Sequence, residues 1–431
     1  MKKRTTIIAS ILMLIIGSYL AYEYFKDETT VLEIGIYSGN EWGVPQIDVY
    51  KIYDEAIELF EKEHENVKVV YRSGTLMEDY SEWLAQKILK GNEPDVFIVL
   101  QEDFNTFSEI GMLEPLTEFM KNDNEFYEED FYEKALKSGN YNDEQFAMPF
   151  EIVPTFMIAN QSLLIGNNLI LPQNQWSLES FMAISKKITK DNNNDNVIDQ
   201  FGSVGYEWDH VYYAEKGDFS QGVRAVDVYD EIKLKTAIDF TKSLYQLNKG
   251  HIVSNKEFSE GLVAFKPFSL AEFRAYKPYP YKIKKYSNFE WSAIPFPVNQ
   301  DNKSQSKLYT VQLGMSSRTK EKKLAWEFIN FMTSNDQVQQ MVWDYTYALP
   351  AKRSVVNGIY ENQIASDDIL DPDFLELIIE QSVVEPTFKK YNRIREAMDI
   401  RIKVNLLEGS STQDTIRQVR NVVEDILIEV Q

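Results

Sequence analysis

The run from Asp95 to Leu100 is apolar after its first residue, bounded by Pro94 before it and by Gln101-Glu102-Asp103 after it. A strand without polar alternation is covered on both faces, and strands of that kind alternating with helices indicate a parallel sheet. The preceding segments agree. Val31 to Tyr37 alternates in strand fashion and ends in the turn-rich Ser38-Gly39-Asn40-Glu41-Trp42-Gly43. Tyr53, Ile57 and Phe60 recur at helical spacing, and Val67 to Tyr71 is a β-branched strand. Tyr80, Leu84 and Ile88 mark a second helix, stopped by Gly91-Asn92. Ligands of such sheets sit beyond the carboxyl ends of the strands. That singles out Ser38–Gly43 and Gln101–Asp103.

Further along, Phe146 to Ala159 is apolar but holds Pro149 and Pro154, which implies an edge strand or a crossing segment. Residues 176–190 predict a helix with Leu178, Phe181, Ile184 and Ile188 inward, and residues 230–247 another through Leu234, Ile238 and Leu244. Ala325, Phe328, Ile329 and Met332 line one helix face. Ile416, Val419, Val423, Ile426 and Val430 line another, with Ser411-x-x-Asp414 as its cap. There is no internal repeat. The fold class is α/β, in two lobes with C-terminal helices. A length of 431 residues fits two or three domains.

Composition removes several functions. With no cysteine there is no disulfide, thiol nucleophile, Cys-zinc site, iron–sulfur cluster or thioether lipid anchor. His64, His210 and His251 are scattered, which argues against a histidine metal site. A net charge of −22 argues against binding nucleic-acid duplexes. There is no Gly-x-Ser-x-Gly, His-Glu-x-x-His or phosphate-cradling loop. A glycosidase needs only two carboxylates, so among 67 acidic residues an extracellular glycan-active enzyme stays as a remote alternative. At the N-terminus, basic Met1-Lys2-Lys3-Arg4 precedes 18 uncharged residues ending at Tyr22. That length is near the lower limit for a membrane span, and no small-x-small cleavage pair follows. Residues 1–30 are therefore expected to be a cytoplasmic tip and an uncleaved single-pass anchor, a transmembrane helix with the bulk of the chain extracellular. A cleaved signal is the alternative.

Several local marks occur in one order. They are Gly91-Asn92-Glu93-Pro94-Asp95-Val96, then Phe107 to Leu116, then Phe146-Ala147-Met148-Pro149-Phe150 running to Ile158-Ala159-Asn160, then Pro172 with Trp176. Phe258 to Phe265, Trp291 to Pro297, Leu324 to Met332 and Leu349-Pro350-Ala351 follow. In this order they resemble the family 1 extracellular solute-binding proteins of ABC importers, the carbohydrate-type group that includes maltose-binding protein. The resemblance implies a two-lobed periplasmic-binding-protein fold with a hinge between lobes. It puts residues 31–148 and 314–368 in lobe one and 149–313 and 369–431 in lobe two. The chain would cross near Pro149–Pro154, near Val311–Met315, and again before the C-terminal helices. The implied function is not enzymatic: a monomer that captures a carbohydrate, an oligosaccharide, and delivers it to the membrane subunits of an ABC permease. A ligand-sensing ectodomain or a binder of a non-sugar solute is the alternative. Two departures stand out. The usual lipobox cysteine is missing, and the Glu-Gly-Lys-Ala-Ala-Met pattern is reduced to Glu260-Gly261-Leu262-Val263-Ala264-Phe265.

A sugar pocket needs aromatic platforms edged by carboxylates, amides or arginine. Trp42 lies on the first strand-end loop, as a platform or as packing at a helix start. Glu102 and Asp103 follow the Asp95–Leu100 strand, as ligands or as solvated caps. Glu151 lies between apolar neighbours on the crossing segment, where an unpaired carboxylate is costly, so it binds ligand or pairs with a cation. Trp208 and Asp209 lie on a lobe-two loop, and Phe268, Phe273 and Arg274 follow the reduced pattern where the family presents an aromatic. Trp343 and Tyr345 precede Leu349-Pro350-Ala351. Tyr391 and Arg395 open a C-terminal helix, as weaker candidates beside a packing role.

The segment Asp191-Asn192-Asn193-Asn194-Asp195-Asn196-Val197-Ile198-Asp199 puts oxygen ligands at loop positions 1, 3, 5 and 9, and the Val197 carbonyl at position 7. This is an EF-hand-like pattern for a hard cation. Asp191, Asn193, Asp195, Val197 and Asp199 are thus candidates for a structural Ca2+, against an ordinary polar turn. No catalytic cofactor is expected. Lys277 to Tyr286 is a basic, aromatic stretch, read as a surface strand or a contact for an acidic glycan or partner.

Overall fold

A computed structural model describes residues 29–44, 49–173, 175–276, 289–299, 306–361 and 372–429. The expected N-terminal anchor, the Lys277–Tyr286 stretch, Val430 and the expected lobe limit at 368 lie outside the described residues. Among the described residues no helix is long and apolar enough to cross a membrane.

The strands of the main sheet are β1 (Thr30–Gly35), β2 (Val67–Tyr71), β3 (Val96–Val99), β4 (Ala147–Asn160), β5 (Phe201–Ser203), β6 (Val263–Ser269), β7 (Trp291–Ile294), β8 (Leu308–Met315) and β9 (Leu349–Pro350). They join in the order β2-β1-β3-β8-β4-β6-β5, with β7 and β9 also paired to β4. β1 runs parallel to β2 and β3, as the apolar patterns require. β8 departs from that pattern and runs antiparallel to both β3 and β4. All four residues of β3 are buried, consistent with cover on both faces. The helices Tyr50–Glu63 and Met77–Lys90 bury Tyr53, Ile57, Phe60 and Tyr80, Leu84, Ile88 respectively.

β4 is buried along all of its length and links the two lobes. Its first half pairs with β8 as far as Pro154, and from Thr155 onward it pairs with β6. The prolines are tolerated for local reasons. Pro149 faces Gln312 beside a register shift, and Pro154 sits where the partner strand changes, so the absent N–H breaks no regular ladder there. The second crossing differs from the expectation at Val311–Met315. β8 pairs with lobe-one strands from Leu308 onward, so the chain crosses just before it, at Ser306–Lys307. The Pro372–Glu380 helix, expected in lobe two, packs on the Glu133–Ser138 helix of lobe one and on β4. Its Leu375, Ile378 and Ile379 join the larger core, which extends across both lobes, so the third crossing follows it.

Lobe two is built on the Leu178–Ile188, Glu231–Leu247, Tyr391–Leu407 and Thr412–Ile428 helices around a second core. The expected Ser411 cap forms, and two further helices carry caps. Ser177 accepts from the Ser180 N–H, Asp230 from Ile232 and Lys233, and Ser411 from Asp414. The last helix buries Ile416, Val419, Val423 and Ile426.

Candidate functional site

A cleft of about 790 Å³ opens between the lobes. Lobe one contributes Glu41 and Trp42 from the turn after β1, Met77, and Leu100 to Glu102 from the end of β3. The first of these segments is a turn and the second opens the Gln101–Glu109 helix, and both lie at carboxyl ends of parallel strands. Lobe two contributes Glu207, Asp209 and His210, Pro267 to Ser269 from the end of β6, Glu272, and one face of the Tyr391–Leu407 helix. Thr155, Lys307, Tyr309 and Glu385 lie at the crossings and form the back of the cleft. Trp42 and Tyr309 approach with ring centroids 6.1 Å apart.

The lobe-two wall is organised by one carboxylate. Asp209 is only 2% exposed and pairs with Arg395 at 2.6 Å and with Lys307. Burial opposes its ionisation, yet Lys307, His210 and Arg395 outweigh burial and hold the carboxyl well below the usual range. The Arg395 guanidinium carbon lies 4.4 Å from the centroid of the Trp208 ring, and the Trp208 indole N–H donates to Asp399 at 3.1 Å. Lys266 lies 4.3 Å from the Phe268 ring centroid and pairs with Glu272 at 2.8 Å. This wall is a satisfied ionic network behind an aromatic surface.

The lobe-one wall is different. Glu41 accepts from the Tyr37 hydroxyl at 2.7 Å. Burial lifts its carboxyl from the ordinary 4.5 to about 7; Tyr37 opposes this, and Glu102 and Asp103 add to it. Behind Trp42 lies a chamber of about 30 Å³ lined by Tyr37, Tyr53 and Glu151, among others. Glu151 is 9% exposed, and burial first, with the Glu41 charge second, pushes it up to about 8.

The expected site residues divide accordingly. Trp42, Glu102, Asp209 and Phe268 line the cleft. Asp103 accepts from Ser81 at 3.0 Å and lines an adjoining hollow of about 630 Å³, which shares Glu102, Tyr391, Asn392 and Glu396 with the cleft. Glu151 faces the inner chamber. Trp208 lies under Arg395 rather than on the surface, because its indole is buried against the C-terminal helix. Phe273 is a core residue packed on Phe156 and Trp291. Arg274 lies 3.5 Å over the Trp343 ring and donates to the Trp343 and Ala348 carbonyls at 2.7 Å, so both residues stitch the lobes together away from the cleft. Tyr345 donates to Glu55 and carries Lys51 at 4.1 Å over its ring. Among the residues sequence reasoning missed are Glu41, Lys307, Tyr309 and Glu385. Glu41 was in reach, because it adjoins Trp42 on the turn already singled out. Lys307 and Tyr309 lie in and just after the second crossing and carried no local signal.

In the 191–199 loop, Asp191 accepts from the Asn194 and Asn196 N–H groups, and Asn193 and Asp195 accept from residues two positions on. Asn196 has a φ of 70°, the conformation a glycine would take at that loop position. Among the described residues no three His, Cys, Asp or Glu side chains converge on one metal position. The side chains instead satisfy the loop's own N–H groups.

Residues 55–370 match the family model of bacterial extracellular solute-binding proteins. No curated protein matches by sequence. An ABC substrate-binding protein from Listeria monocytogenes in complex with cycloalternan superposes with a TM-score of 0.68 at 20% identity, covering 93% of this chain and 98% of that one. The sugar-binding protein MalE from Xanthomonas citri gives a TM-score of 0.74 at 15% identity over 92% and 97%. A cyclic alpha-maltosyl-1,6-maltose binding protein from Arthrobacter globiformis gives 0.73 at 14% over 92% and 99%. The architecture is thus the two-lobed binding-protein fold.

Proposed function

The chain belongs to the bacterial extracellular solute-binding protein family, and on that premise we propose that it captures an oligosaccharide outside the cell and delivers it to an ABC importer. The observation that carries this reading is the interlobe cleft of about 790 Å³, with Trp42, Phe268 and Tyr309 among carboxylates, amides and Arg395. Rings of that kind cover the C–H faces of a sugar, and the polar rim accepts from and donates to its hydroxyls. Closure of the lobes about the crossings at Pro154–Thr155 and Ser306–Lys307 buries the ligand. Its higher affinity for the closed form then shifts the population.

The proposal includes no turnover. It also includes a monomer tethered by its N-terminus, supported by the basic tip and the 18 uncharged residues after it and by the absence of a cysteine for lipid attachment. Ca2+ on the 191–199 loop belongs to the same proposal; its support is the alternation of oxygen-bearing side chains and the positive φ of Asn196. A thermal-shift screen with malto-, manno- and chito-oligosaccharides, with and without Ca2+, tests the reading. A stabilising shift with one glycan class and an unchanged glycan after incubation is the expected result. No shift with any glycan favours a non-sugar solute or a sensing ectodomain, and released product overturns the non-enzymatic reading.

A further inference from the structure

The two walls of the cleft differ in how their charges are answered. On lobe two, Asp209 is matched by Lys307 and Arg395, and Glu272 by Lys266. On lobe one, no Lys, Arg or His side chain among the described residues bonds to Glu41, Glu102 or Glu151. Arg274 acts on Glu151 through charge alone, since its donors go to the Trp343 and Ala348 carbonyls. Glu151 is nine-tenths buried and lines the chamber behind Trp42. That chamber, about 30 Å³, has room for one water-sized group. Trp42 borders both the chamber and the cleft.

A buried carboxylate, Glu151, with no cation bonded to it among the described residues, a half-buried one, Glu41, a water-sized space and an indole beside that space together make a receptor for a cation on an organic carrier. A carboxylate bonds an ammonium group about twice as strongly as it bonds a neutral hydroxyl, and an indole face adds cation–π attraction. An ammonium group is the size of a water molecule and brings three donors. We infer that the saccharide held in this cleft carries a protonated amine, placed at the lobe-one end against Glu41, Glu151 and Trp42. This rests on the carbohydrate reading above and narrows it to amine-bearing sugars. The raised carboxyls of Glu41 and Glu151 in the free protein agree with it, because an arriving cation would ionise both.

The test is calorimetric titration of the full chain with malto-, manno- and chito-oligosaccharides, each paired with an aminated counterpart. For the chito series the pair is the glucosamine oligomer and its N-acetylated form; for the others it is the reducing-end alditol and its 1-amino-1-deoxy derivative. Sodium, potassium and ammonium chlorides at equal ionic strength serve as controls. The expected result is at least one pair in which the amine binds tenfold or more tightly. In Glu151→Gln and Glu41→Gln that ratio moves toward one, while the free proteins remain folded. Equal binding of both members of every pair overturns the inference and leaves the carbohydrate reading standing. An amine preference that survives both substitutions overturns the placement. Stabilisation by the inorganic cations equal to that by the amines assigns the chamber to an ion and overturns it as well. No binding of any saccharide removes both readings.

Discussion

The two walls of the cleft use the same residue types for opposite purposes. Lobe two buries Asp209 and matches it with Lys307 and Arg395, so that charge is answered before ligand arrives. Lobe one sets Glu41 and Glu151 where burial and neighbouring carboxylates raise both, with no cation bonded to either among the described residues. A matched buried charge holds a structure in place. An unmatched one destabilises the empty site and is relieved by whatever brings the missing donors. The division of labour is a scaffold wall against a receptive wall.

The largest test of that contrast is Asp209→Ala. It strands Lys307 and Arg395 as facing buried cations, and the unfolding free energy should fall by about 3–5 kcal/mol in urea denaturation. A fall below about 1 kcal/mol would show that the ionic centre does not hold the wall.

Next comes the pH dependence of stability, where the walls should differ in sign. Glu41 and Glu151 have folded values of about 7 and about 8 against an ordinary 4.5, so the folded state binds more protons than the unfolded chain in between. Their contribution is favourable at low pH and is lost as pH rises from about 4.5 through 7 and 8. Asp209 has a depressed folded value, so its support is present above its ordinary 3.8 and is lost only as pH falls below that. Glu151→Gln should therefore be more stable than wild type at pH 8, by about 1–3 kcal/mol, and should flatten the curve between pH 5 and 8. Urea unfolding at three pH values measures it. An unchanged curve would place Glu151 beside a cation in solution.

A smaller effect on folding, but a direct one on binding, is expected of Trp42→Ala. Its ring is half-buried and packs on Tyr309, so the melting temperature should move by only about 2–4 °C. Saccharide affinity should drop at least tenfold. Smallest of all is the loop far from either wall. Millimolar Ca2+ should raise the melting temperature by about 1–2 °C through mass action on a weak site, and Asp191→Asn should abolish the rise.

Much of the fold was legible because its patterns are local. The β3 run, the helical spacing of Tyr80, Leu84 and Ile88, and the Ser411 cap depend on neighbours within one element. The second crossing was misplaced because nothing within Leu308–Met315 reveals which sheet it joins; pairing with β3 and β4 decides that. The site was less legible for the same reason. Trp208, Phe273, Arg274 and Trp343 have the side chains of a sugar pocket, but long-range packing turns them inward or onto one another. Asp209 lines the cleft, and its partners Lys307 and Arg395 lie 98 and 186 residues away, beyond the reach of any local pattern. Glu151 was correctly read as a buried carboxylate, and only the three-dimensional arrangement shows that no cation among the described residues bonds to it.

The most direct measurement is calorimetric titration of the wild-type chain and of Trp42→Ala with the oligosaccharide panel. The account predicts one saccharide bound per wild-type chain, with affinity at least tenfold weaker in Trp42→Ala. Heat-silent titration with every saccharide, or binding that Trp42→Ala leaves unchanged, would contradict the assignment of this cleft to carbohydrate capture.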